Sequence, residues 1–104
     1  MYQVQTKAQL IQLLQRNRER ILAFGVLRIG IFGSFVRNEA REESDIDFLV
    51  EFDPAKKNLA NFIGLADLLD GLTGRRTEIV TPESLSKYIG PSILKEVEYV
   101  PLAA

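Results

Sequence analysis

The chain has 104 residues, 46% hydrophobic and 26% charged, and its 13 basic and 14 acidic residues leave a net charge of −1. That length suits a single domain over residues 1–104. The absence of any cysteine or histidine excludes disulfides, thiolate nucleophiles, Cys-ligated zinc and Ser–His or Cys–His catalysis.

The remaining chemistry rests on carboxylates, hydroxyls, Lys, Arg and backbone amides. Carboxylates without histidine suit hard cations such as magnesium. No basic excess is present to meet a phosphate backbone, so general nucleic-acid binding is not expected. No apolar run reaches the roughly 18 residues of a membrane span, and the N-terminal segment has no signal-peptide core. A cytoplasmic protein is expected.

In chain order, Thr6 caps a helix over residues 6–24, with Leu10, Leu14, Ile21 and Leu22 at helical spacing. Gly25 stops it. Residues 26–32 read as a strand that ends at Gly33-Ser34. A short helix is expected from Ser34 to Ala40, then a polar loop over residues 41–44. Asp45 to Phe52 alternates as a strand: Ile46, Phe48, Val50 and Phe52 share one face, and Asp45, Asp47, Leu49 and Glu51 the other.

Asn58 caps a helix running to Leu72, with Leu65, Leu68, Leu69 and Leu72 as its core stripe, and Gly74 closes it. Thr77 to Val80 is a third strand. Thr81-Pro82 opens a short helix. Gly90-Pro91 breaks the chain, and a last helix runs to Tyr99, before Pro101. Arg75, Arg76, Lys56 and Lys57 are expected to be solvated, and Tyr88 and Tyr99 to pack. The element order α-β-α-β-α-β-α-α implies an α/β (α+β) fold, a small mixed β-sheet flanked by helices.

Two features carry chemistry. Gly33-Ser34 sits between a strand and an expected helix, where glycine admits close backbone approach and the helix start offers free N–H groups. With the Ser34 hydroxyl this makes a phosphate cradle, although Gly-Ser also serves ordinary turns. Asp45 and Asp47 share a strand face, where they repel unless a cation neutralises them. A pair of divalent ions held there could clamp the attacking and leaving oxygens of a phosphoryl displacement. Arg37, one turn after Ser34, fits a phosphate contact or a solvated helix arginine equally well by spacing. Ser44 fits a loop-orienting role or a plain turn.

Gly33-Ser34, ten residues, then Asp45-x-Asp47 make a joint motif. The stretches over residues 31–40 and 44–50 resemble the minimal nucleotidyltransferase branch of the superfamily related to DNA polymerase beta. The similarity extends weakly over residues 77–83 and 93–99. The resemblance implies a minimal nucleotidyltransferase fold and roles for matched positions. Asp45, Asp47 and Glu78 would hold two Mg2+ ions and form the catalytic set. Gly33, Ser34 and Arg37 would bind the phosphates of ATP. Glu78 departs from the family's more usual aspartate, which bears on catalytic efficiency more than on nucleotide binding.

The resemblance also implies an acceptor. Similar proteins accompany a HEPN-type ribonuclease toxin and act as its antitoxin by attaching AMP to a tyrosine. This chain has little room for an acceptor-binding domain, so a hetero-oligomer with such a toxin is expected. The alternative is a catalytically weak antitoxin that neutralises its partner by binding alone.

Overall fold

The computed structural model describes residues 2–102; Met1, Ala103 and Ala104 of the expected domain lie outside them. Thr6 starts helix α1 (Lys7–Arg16) through a reciprocal cap. The Gln9 amide donates to Thr6 Oγ1 at 3.1 Å, and the Thr6 amide donates to Gln9 Oε1 at 3.3 Å. The helix expected to run unbroken to residue 24 instead breaks at Asn17 and resumes as α2 (Arg18–Leu22). The Asn17 side chain donates to the Leu13 carbonyl at 2.9 Å, the local competition that makes asparagine a poor helix-interior residue.

Strand β1 (Val26–Phe32) follows. The chain then turns through a 3-10 turn at Gly33–Phe35 and an irregular loop into β2 (Ile46–Phe52). The helix expected over residues 34–40 is therefore only one short turn. Positive φ angles at Gly33 (78°) and Asn38 (59°) are incompatible with a helix through both. Helix α3 (Leu59–Thr73) is capped by Asn58, whose Oδ1 accepts the Asn61 amide, and ends on Gly74 in the left-handed conformation. Strand β3 (Thr77–Val80) leads into a 3-10 turn at Pro82–Ser84.

Gly90-Pro91 opens helix α4 (Gly90–Glu96) rather than breaking the chain, with Pro91 in its first turn. The helix expected to reach Tyr99 stops at Glu96. Glu98–Val100 forms a fourth strand, β4, along β1. The sheet order is β3-β2-β1-β4, antiparallel except for the parallel β2–β3 pair. This is the small mixed sheet with helices that the pattern implied.

One sheet face carries the core. Ile29 and Ile31 of β1 and Ile46, Phe48 and Val50 of β2 pack against Leu10, Leu14, Ile21, Leu65 and Leu69. Each such fully buried side chain contributes roughly 1.5–3 kcal/mol. Leu68 and Leu72 are only half-buried, at the edge of the stripe. The other face presents Asp47, Leu49 and Glu51. There the end of α4 approaches closely enough that a β-carbon on Gly30 would collide with Val97. No helix among the described residues is long and apolar enough to cross a membrane.

Candidate active site

Antiparallel pairing of β1 and β2 sets Phe32 opposite Asp47, and parallel pairing of β2 and β3 sets Asp47 opposite Glu78. The turn after β1, the carboxylate of β2 and that of β3 therefore meet at one end of the sheet. Gly33 is buried with φ 78°, and a β-carbon there would overlap Asp47 Oδ2. Glycine is required twice over, by its backbone angle and by the carboxylate against it. Phe35 is fully buried and fixes the far end of the turn to the core. Ser34 lies between these two anchors, half-buried.

Asp45 precedes β2 and is exposed, and Glu78 is exposed on β3. Asp47 is half-buried between them, and its pKa is pushed up to about 6. Burial is the largest cause, followed by the negative charge of Glu78 and then of Asp45 and Glu96. Hard oxygen donors crowded to mutual repulsion fit a divalent cation in charge and chemistry. Among the described residues, no three carboxylates converge at ion-ligand spacing.

The phosphate cradle differs from expectation. The short turn gives no extended helix dipole, and the donor groups beside it are local amides and Arg37. Those groups already meet an anion: the Gly33 amide donates to Glu96 Oε2 at 2.8 Å, and Arg37 Nη1 donates to Glu96 Oε1 at 2.5 Å. Arg37 also donates to Glu39 at 2.8 Å. The Gly33 amide, and then Arg37, hold the Glu96 carboxyl below the usual carboxylate range. Glu96 lies 63 residues from Gly33, and no local pattern marked it.

Arg75 also corrects the sequence reading: expected in solvent, it is buried, with 6% of its surface exposed. Its guanidinium donates to the Val4 carbonyl at 2.7 Å, and to the carbonyls of Arg41 at 2.8 Å, Glu42 at 3.1 Å and Ser44 at 2.9 Å. It also lies 4.9 Å from the Phe35 ring centre. Alternation along the approach to β3 was the available signal. Arg75 falls on the side of Ile79, which packs on the core, and Arg76 on the side of Glu78. Ser44 closes a turn, its Oγ accepting the Arg41 amide at 2.8 Å. Lys57 is paired with Glu83 at 2.7 Å. Tyr99 packs beneath the Arg28 guanidinium, 3.7 Å from its ring centre, whereas Tyr88 is exposed rather than packed.

The arrangement resembles known proteins in sequence and fold. The Nucleotidyltransferase domain family matches residues 10–100, a span that includes the turn, the three carboxylates, Arg37, Arg75 and Glu96. Protein adenylyltransferase MntA of Thermococcus cleftensis is 47% identical over 83 residues, 80% of this chain and 80% of that protein. The solved structure of a candidate minimal nucleotidyltransferase superposes with a TM-score of 0.69 at 35% identity, covering 85% of this chain and 93% of that one. A structure of a tri-AMPylated Shewanella oneidensis HEPN toxin in complex with an MNT antitoxin has a chain of the same fold. Its TM-score is 0.60 at 18% identity, covering 89% of this chain and 73% of that one. With a family match over nearly all of its length and this identity to MntA, the chain belongs to the nucleotidyltransferase family, in its minimal branch.

Proposed function

We propose that this chain transfers AMP from ATP to a protein acceptor, a tyrosine of a HEPN-type ribonuclease toxin, and thereby acts as its antitoxin in the cytoplasm. The observation that carries the reading is the meeting of the Gly33-Ser34 turn with Asp47 and Glu78 at one end of the sheet. The identity to MntA supports protein as the acceptor class. The complex of an AMPylated HEPN toxin with an MNT antitoxin supports the partner and a hetero-oligomer.

In this reading the Gly33 and Ser34 turn binds the β- and γ-phosphates, and Arg37 supplies a planar fork to their oxygens. Asp45, Asp47 and Glu78 would hold two Mg2+ ions, which neutralise charge at the α-phosphate and lower the pKa of the acceptor hydroxyl. Asp47, packed against Gly33, sets the distance between the phosphate turn and the carboxylates. The acceptor oxygen attacks the α-phosphorus in line, the bond to the bridging oxygen breaks, and pyrophosphate leaves on the Gly33-Ser34 side. The hydroxyl proton leaves by way of the exposed Glu78 carboxylate. Positioning and charge neutralisation supply most of the acceleration.

A second reading, neutralisation by binding alone, draws on Glu96, which engages Gly33 and Arg37 where phosphate oxygens would bind. Intact-mass measurement of a cognate toxin after incubation with this chain, ATP and Mg2+ separates the two. One or more added AMP groups, lost when Asp45→Asn is combined with Asp47→Asn, establishes transfer. A stable complex with unchanged mass, still protective with both aspartates replaced, leaves binding alone.

A further inference from the structure

Arg75 lies outside every role assigned above, yet its contacts fall on segments that flank the site. β3, which carries Glu78, begins two residues after it. Its guanidinium gathers the carbonyls of Arg41, Glu42 and Ser44, the loop that delivers Asp45 and Asp47. Its guanidinium carbon lies over the ring of Phe35, the residue after Ser34, 4.9 Å from the ring centre. A fourth hydrogen bond, to the Val4 carbonyl, ties the group to the segment before α1. Among the described residues it has no carboxylate partner.

A buried charge satisfied only by neutral carbonyls is costly to fold around. A lysine would offer three donors from one point, whereas the arginine fork spreads five in a plane. Only the fork spans carbonyls on two separate segments from one position above an aromatic ring. The carbonyls it holds belong to an irregular loop with few backbone bonds of its own; the Ser44 amide to the Arg41 carbonyl at 3.1 Å is one of them.

We infer that Arg75 is a positioning residue: it holds the 41–44 loop in place and so sets the Asp45 and Asp47 carboxylates against the Gly33-Ser34 turn. The inference rests on the proposed role of those aspartates as cation ligands. Outer groups that orient metal ligands typically change metal affinity about 10–100-fold when removed.

The test uses the full chain and the variants Arg75→Lys and Arg75→Gln, with Mn2+ as the probe. Amide hydrogen exchange is read alongside Mn2+ affinity. The expected result is exchange at least about ten-fold faster over residues 41–47, with β1 and β4 at their original rates, and Mn2+ affinity lower by about 10–100-fold. Arg75→Lys should recover little of either, because a point charge cannot replace the fork. Unchanged exchange over residues 41–47 would overturn the inference. So would exchange that accelerates uniformly across the sheet, or loss of fold in both variants, since Arg75 would then be a general fold anchor. Asp45→Asn combined with Asp47→Asn keeps the two questions apart. If that variant binds Mn2+ as well as the unsubstituted chain, the cation-ligand reading fails, and the exchange data alone still decide whether Arg75 holds the loop.

Discussion

The backbone amide of Gly33 donates to the Glu96 carboxylate at 2.8 Å, and the other oxygen of that carboxylate takes Arg37 at 2.5 Å. A carboxylate from the end of α4 thus occupies two groups that the proposed reaction needs for phosphate. In the proposed reaction, nucleotide binding displaces it. Glu96→Gln removes the charge and keeps the shape, so Mg-ATP should bind more tightly, by about 2–5-fold for a partly exposed ion pair. Titration calorimetry with Mg-ATP reads this directly. Weaker binding would show instead that Glu96 supports the turn.

Gly33→Ala should fail on two counts. Its φ of 78° is unfavourable for any residue with a β-carbon, and that carbon would overlap Asp47 Oδ2. The left-handed angle alone costs about 1–2 kcal/mol, and displacing Asp47 adds to it. A Tm drop of roughly 10 °C is expected, with AMP transfer lost even at temperatures where the variant is folded. A variant with native Tm and native transfer would show that the turn is not built around glycine.

At Asp47, stability and the proposed function oppose one another. Its folded pKa, about 6, lies above the ordinary aspartate value of 3.8. Between those values the folded chain holds a proton that the unfolded chain releases, so stability falls as pH rises through the window and stays lower above it. Asp47→Asn removes this loss. Without divalent cations it should raise Tm by a few degrees at pH 7.5, change little at pH 3.5, and abolish AMP transfer. Mn2+ should stabilise the unsubstituted chain more at pH 7.5 than at pH 5. Thermal melts at three pH values test the sign; a lower Tm for Asp47→Asn at pH 7.5 would contradict it.

Much of this site was legible in the residues. The alternation expected from Asp45 to Phe52 describes β2 apart from Asp45, which precedes the strand, and the Asn58 and Gly74 caps bound α3. The elements that eluded the pattern are those decided at long range. Glu98–Val100 is three residues long and becomes a strand by pairing with β1, so no local period marks it. Glu96 meets Gly33 only because β4 returns the chain alongside β1. Arg75 looks like a solvated charge until Val4 and the 41–44 loop are seen to close over it.

Glu78 stands opposite Asp47 across the parallel pair, and its charge is the second cause of the raised Asp47 pKa after burial. Glu78→Gln removes that charge without removing the side chain. The Asp47 pKa should then fall below its present value of about 6, yet stay above 3.8, because burial is unchanged and is the larger cause. Carboxyl-carbon NMR of the folded chain follows the titration. ATP binding should persist, since Gly33, Ser34 and Arg37 are untouched, whereas AMP transfer should fall by about 100-fold or more if Glu78 serves the acceptor oxygen. Transfer at the original rate with a lowered Asp47 pKa would place Glu78 in the electrostatics of the site but outside its chemistry. Loss of ATP binding together with transfer would move Glu78 to the nucleotide side, and the assignment of the acceptor side to β3 would be wrong.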